Sequence, residues 1–158
     1  MARKPAHSTV LDPTDVAIVE LMQQDGRISV SELGRQVGLS QPAASERLKR
    51  LEERGVISSY KAIIDPAALG LGMMAIIRVK TTHEHIRACL RQFAEMPQVI
   101  EVLRLTGEDC FLLKVLVPTP GDLEFIVDRV ARFGAVTTSL VLSSEEPKSI
   151  GRELIPRP

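Results

Sequence analysis

The amino-acid sequence predicts an α+β chain in two parts: a helical unit before about residue 60, then a mixed unit with the succession βαββαβ. Three observations carry this expectation. Apolar residues recur at helical spacing as far as Leu51, and strand-like alternation replaces them from Ile57 onward. The helical blocks are joined by very short connections that contain Gly or Asp-Gly. Beyond residue 72, β-branched runs alternate with helical patterns, and a Gly-Glu-Asp turn separates two of the runs. At 158 residues the chain has room for two compact units of roughly 60 to 90 residues each.

The first helix follows Asp12-Pro13, an N-cap with proline at the first helical position. Leu11, Ile18, Val19 and Met22 then recur until Asp25-Gly26 stops the run. Ser29 or Ser31 caps a second short helix that holds Leu33 and Val37 and ends at Gly38. Ser40 begins the third, with Pro42 in its first turn, Leu48 and Leu51 on one face, and Gly55 as the stop. Three helices with such short connections form a helix-turn-helix.

Ile57 to Asp65 alternates as a strand, and Pro66 to Gly72 is a Gly-punctuated connector. Met73 to Thr82 reads as a strand, after which Thr82 caps a helix from His83 to Met96 that Pro97 closes. Val99 to Thr106 and Cys110 to Val117 read as two strands flanking the hairpin turn Gly107-Glu108-Asp109. Gly121 to Phe133 is helical, and Ala135 to Leu142 is the last strand. The order βαββαβ predicts a ferredoxin-like sheet with both helices on one face. Residues 1–10 are expected to be a flexible N-terminus, 11–56 the helix-turn-helix, 57–72 the hinge strand and linker, 73–144 the ferredoxin-like domain and 145–158 a C-terminal tail.

Composition excludes several classes. Leu69 to Ile77, the longest uncharged apolar stretch, is far short of the roughly 20 residues a membrane span needs. Ala6-His7-Ser8-Thr9 stands where a signal peptide would have its apolar core, so a cytoplasmic location is expected and no membrane partner. Cys89 and Cys110 have no zinc spacing and are expected as buried small side chains. His83 and His85, two apart at a helix start, do not share a face, so no metal site is expected. No nucleophile motif, phosphate loop or dinucleotide fingerprint is present, which predicts no catalytic residues, no cofactor and no enzyme.

Charge sharpens the question of nucleic acid. The net charge is zero and the pI about 6.8, which argues against a generic polyanion binder. Any affinity for DNA must come from a few placed cations, multiplied by several copies of the chain. The third helix supplies candidates. A helix that enters the major groove does so by its N-terminal half, where short or hydrogen-bonding side chains reach bases, while cations further along meet phosphates. Ser40, Gln41, Ala44 and Ser45 suit the first role; Arg47, Lys49 and Arg50, with Arg54 beyond, suit the second. Glu46 either accepts from cytosine N4 or pairs with Arg50. An ordinary amphipathic helix with a solvated charged face would carry the same charges, and the two helices before it are what favour DNA.

Those residues also carry a family resemblance. Leu11-Asp12, Asp15, Ile18-Val19, Met22 and Asp25-Gly26-Arg27 form the first block. Ser31-Glu32-Leu33, Val37-Gly38-Leu39-Ser40, and Arg47, Lys49-Arg50-Leu51-Glu52, Gly55-Val56-Ile57 complete a continuous match to about Asp65. The pattern resembles the Lrp/AsnC "feast/famine" family of transcriptional regulators. The resemblance implies that Gln41 to Arg50 is the recognition helix, that Ile57 to Asp65 is the interdomain hinge, and that double-stranded DNA is a partner. Gln41-Pro42 departs from the family's frequent Ser-Pro, which alters the helix start and with it the bases read.

The later strands predict a partner for the sheet. Phe111, Leu113, Val115 and Val117 oppose Leu112 and Leu116, with only Lys114 as a break, and Met74 and Ile76 lie behind Ala75, Ile77 and Val79. With helices on one face, the other is also apolar, and a homodimer would cover it. The 60s strand or the tail from Glu145 onward is the intrachain alternative. The resemblance implies a RAM (regulation of amino-acid metabolism) domain, whose dimers assemble into a higher oligomer, commonly an octamer.

A small-molecule effector, an amino acid in the first instance, is expected at Thr106-Gly107-Glu108-Asp109-Cys110. The turn glycine exposes backbone N–H groups to a carboxylate, and Glu108 or Asp109 can take an ammonium, although the same residues suit a plain solvated turn. The resemblance implies the same loop, with Thr138 and Ser139 of the last strand lining it; Glu108 and Cys110 depart from the family's frequent choices. Two rival readings are an amino-acid-binding regulatory subunit of a metabolic enzyme and a nucleoid-compacting architectural protein. The cations at Arg47, Lys49 and Arg50 argue against the first; sequence preference on DNA separates the second.

Overall fold

The computed structural model describes residues 10–145 and 147–155, so the expected flexible segment 1–10 lies outside the described residues except for Val10. They fall into two compact units, 10–63 with 147–155, and Ile64–Glu145.

The first unit is built on three capped helices. α1 (Pro13–Gln24) starts where Asp12 accepts from the Asp15 N–H at 2.8 Å. α2 (Val30–Val37) is capped by Ser29 rather than Ser31, and ends on Gly38, whose φ of +71° favours glycine. α3 (Gln41–Glu53) starts with the Ser40 hydroxyl accepting from the Ala43 N–H. Ile18, Leu33 and Leu51 are fully buried between them, with Leu11, Val19, Leu48 and Val56 packed around. Gly34 sets how closely α2 approaches the start of α3, because a Cβ there would lie 2.8 Å from the Leu39 carbonyl oxygen and 3.4 Å from the Ala44 Cβ.

The hinge strand is corrected. Residues 57–65 alternate in sequence, yet among the described residues no strand pairs with them and their backbone is irregular. A strand is defined by its ladder, and alternation cannot supply the missing partner. Ile63 is 93% exposed and Ile64 59%, while the Tyr60 hydroxyl donates to Glu52 at 2.6 Å and ties the start of the segment to α3.

The second unit has the expected βαββαβ order: β1 (Met73–Lys80), α4 (Ile86–Ala94), β2 (Val99–Arg104), β3 (Phe111–Val117), α5 (Pro120–Ala131) and β4 (Ala135–Leu140). The sheet is antiparallel in the order β2-β3-β1-β4. Ile86, Cys89 and Phe93 of α4 and Ile126 and Val130 of α5 bury the face formed by Ile77, Val79, Phe111, Leu113, Val115 and Val117. Phe93 meets Phe111 and Phe133 edge to face, with ring centres 5.4 and 6.4 Å away.

One helix begins late. His83–His85 forms a 3₁₀ turn and α4 starts only at Ile86. The Thr82 hydroxyl lies 3.3 Å from the His85 ring nitrogen Nδ1 instead of capping the backbone, and an uncapped first turn tightens to 3₁₀ geometry. On the other face of the sheet, Met74 stands opposite Leu116, Arg78 opposite Leu112, and Leu103 opposite Leu112. Directly paired residues point to the same side, so Met74, Leu103, Leu112 and Leu116 share one face, with Lys114 between the two leucines of β3.

Candidate functional site

α3 divides the residues expected to contact DNA. Gln41, Ser45, Lys49 and Arg50 are exposed, and Gln41, Ser45 and Lys49, four residues apart, form a single outward row. Arg50 pairs with Glu46 at 3.0 Å and Lys49 with Glu53 at 3.8 Å. Exposed pairs of this kind contribute little and yield readily to a phosphate. Glu46 therefore serves Arg50 in the free protein.

Two expectations need correction. Ala44 is fully buried and packs toward Gly34, so it holds α3 to α2 and cannot touch a base. Ser40 is exposed and its hydroxyl oxygen accepts in the helix cap, which leaves its O–H free to donate. Arg47, expected at a phosphate, is half-buried and turns to α1: Nη1 donates to Asp12 at 2.5 Å and to Asp15 at 2.8 Å. Arg54 approaches the same Asp15 at 3.8 Å. Asp15 is buried, 7% exposed, and its carboxylate is met there by both guanidinium groups. The Arg47 guanidinium first, then the Asp15 backbone N–H, hold the Asp12 carboxyl below the usual carboxylate range, and Asp12 and Asp15 together raise Arg47. Sequence reasoning missed this latch, although Asp12 and Asp15 at the start of one helix and Arg47 on another were its visible signal.

The turn expected to take an effector is also more elaborate than its sequence. Gly107 has φ +109° and open space where a Cβ would stand, and Thr106 is exposed beside it. Asp109 pairs with Arg78 at 3.3 Å, and Glu108 with Lys80 at 2.7 Å. Lys80 lowers the Glu108 carboxyl and is itself raised by it. Arg78 and Lys80 went unrecognised, though alternation along β1 places them on one face at one end. Cys110 is not open to the turn: its thiol donates to the Thr81 carbonyl at 3.2 Å. Burial pushes the Cys89 thiol up, and both cysteines are free.

The last strand is not assembled as expected. Thr138 pairs with Ile77 and so points to the helix-covered side, whereas Ser139 pairs with Ile76 on the opposite side. Neighbours in a strand cannot line one surface. Thr137, opposite Arg78, shares the face of the charged pairs; Ser139 lies two residues further along β1, about 7 Å. Among the described residues no group of three His, Cys, Asp or Glu side chains is gathered for a metal, and no helix is long and apolar enough to cross a membrane.

A helix-turn-helix with an exposed polar row, in one chain with a ferredoxin-like unit whose hairpin turn gathers opposite charges, defines a two-domain DNA-binding regulator. Comparison with known proteins narrows the class. Residues 11–52 match the AsnC-type helix-turn-helix domain and residues 74–149 the Lrp/AsnC ligand binding domain. The leucine-responsive regulatory protein of Rhizobium meliloti is 33% identical over 132 residues, covering 81% of this chain and 85% of that protein. A transcriptional regulator of Neisseria meningitidis solved as an L-Met complex superposes with a TM-score of 0.85 at 28% identity, over 92% of this chain and 99% of that one. LrpC of Bacillus subtilis gives a TM-score of 0.83 at 26% identity, over 89% and 100%. The chain belongs to the Lrp/AsnC family of transcriptional regulators, with a DNA-binding helix-turn-helix and a ligand-binding domain.

Proposed function

We propose that this regulator reads its operator with Gln41 and Ser45 in the major groove while Lys49 and Arg50 meet phosphates, and that an amino acid bound at the 106–109 turn modulates it. The outward row on α3 carries the first half, because the opposite side of the same helix is fixed by Ala44, Leu51 and the Arg47 latch. Gln suits adenine, and the short Ser45 lets the helix approach closely. Lys49 and Arg50 are released from Glu53 and Glu46 as they neutralise phosphates, which makes binding salt-dependent.

The second half rests on paired charges of both signs at one turn. A zwitterion offers its carboxylate to Arg78, Lys80 or the Gly107 backbone N–H and its ammonium to Asp109 or Glu108. The role is regulatory, without a catalytic step, and the place of action is the cytoplasm, on the nucleoid. A homodimer formed through the apolar sheet face, assembling further to an octamer, supplies the several recognition helices that a neutral chain needs. In such an assembly residues from a second protomer complete the effector site, which accounts for Thr138 and Ser139 lying away from the turn of their own chain.

A thermal-shift screen of the twenty amino acids tests the effector reading. One of them is expected to raise the melting temperature of the parent, and the shift should vanish in Gly107→Asp and Asp109→Ala. A shift retained in both variants would move the site elsewhere. Footprinting at about 0.15 M salt tests the DNA reading, with protection expected at discrete positions spaced by helical turns rather than uniformly along the duplex.

A further inference from the structure

We propose that residues 147–155 are a C-terminal strap that docks on α1, fastens the helix-turn-helix in its DNA-binding geometry and so sets affinity for DNA. These residues were expected as part of a C-terminal tail, or as an alternative cover for the sheet. They belong instead to the DNA-binding unit. Two side chains of α1 receive them. Gln23 holds both backbone polar groups of Ile150: its Nε2 donates to the Ile150 carbonyl at 3.0 Å and its Oε1 accepts from the Ile150 N–H at 2.8 Å. One turn earlier, Glu20 accepts from Arg152 three times, from Nη2 at 2.7 Å, from Nε at 3.3 Å and from the backbone N–H at 3.1 Å.

This is a fork-to-fork pair backed by a backbone contact, more specific than a chance surface ion pair. Glu20 is the better shielded partner, with its side chain 22% exposed against 72% for Arg152, and Arg152 holds its carboxyl below the usual range. The strap ends at Ile155, which lines a cleft of about 780 Å³ with Leu11 and Val16 of the α1 region and with Arg47, Arg50 and Arg54 of α3. It therefore reaches from the C-terminal turn of α1 to the flank of the recognition helix.

Connectivity gives the contact a consequence. One covalent path out of the helix-turn-helix runs through the irregular residues 57–65, where no ladder restrains the backbone. The strap is a second path, since β4 ends at Leu140 and the first residue held by α1 is Ile150. A unit held at two points loses less freedom when it engages DNA than one held at a single loose point. Glu20, Gln23 and Arg152 are thus positioning residues that touch no base.

The test uses the full chain and a duplex selected from a random library by the parent. Arg152→Glu, Glu20→Arg, their combination and a chain ending at Ser144 are compared by fluorescence anisotropy, with hydrogen exchange of the α1 amides as a second readout. Each charge reversal and the truncation are expected to weaken binding about fivefold and to speed exchange in α1. The double reversal, which restores an opposite-charge pair, is expected to return within about twofold of the parent. Far-UV circular dichroism identifies any variant that fails to fold, and the exposed Arg152 carries the conclusion if Glu20→Arg does. Parent-like or tighter binding by the truncated chain would overturn the proposal, as would a double reversal as weak as the sum of the single ones.

Discussion

The side chain that changes the reading of this protein most is Arg47. From its position after a polar helix tip it looked like a phosphate contact, but its two acceptors lie on another helix. The difference was not legible in α3 alone, because the direction of a long side chain depends on what faces it. Arg47→Ala is expected to lower stability by about 2 kcal/mol, as hydrogen bonds to charged groups are lost and the buried Asp15 is left short of a cation. Chemical denaturation should show the loss, and adding Asp15→Asn to Arg47→Ala should recover part of it by removing the stranded charge. A stability loss confined to DNA-bound protein would contradict the latch.

Asp12 adds a pH dependence whose sign is fixed. Its folded pKa is lowered, so its contribution is fully present above the unfolded value of about 4 and disappears as pH falls through the lower folded value. The melting temperature of the parent is expected to drop on acidification below that point. Asp12→Asn keeps a capping side chain but has no such proton to bind, and its melting curve should depend less on pH over the same range.

At the scale of elements, legibility tracked how local the determining interactions are. The caps Asp12, Ser29 and Ser40 and the stop at Gly38 were readable because each acts within one turn of its own helix. The βαββαβ order was readable because each element carries its own period. The 57–65 segment misled because alternation alone does not make a ladder and none forms there among the described residues, and Thr138 misled because facing is set by register with Ile77, which no single strand encodes. The leucines of α3 give the element-scale prediction. Leu51 is fully buried and Leu48 only partly, so Leu51→Ala is expected to cost about 2 to 5 kcal/mol and Leu48→Ala distinctly less. Urea unfolding of both variants measures the order, and equal losses would place α3 at a different rotation.

For the whole molecule, the neutral charge and the two-faced sheet belong to one problem. A chain with equal numbers of acidic and basic residues cannot rely on a broad cationic surface, and affinity must come from presenting more than one recognition helix to one duplex. Met74, Leu103, Leu112 and Leu116 share the face of the sheet away from α4 and α5, an apolar surface suited to self-association. Leu112 stands toward one end of it, directly opposite Leu103 on one side and Arg78 on the other. Leu112→Glu places a carboxylate in that patch without touching α3 or the core residues packed on α4. Its circular dichroism should match the parent, while light scattering should show a smaller species. Operator binding should weaken by well over tenfold, because the second half-site then binds independently instead of at the high effective concentration of a tethered partner. If Leu112→Glu kept the parent's mass and affinity, assembly would have to run through another surface, and the multiplied contacts would need a different geometry.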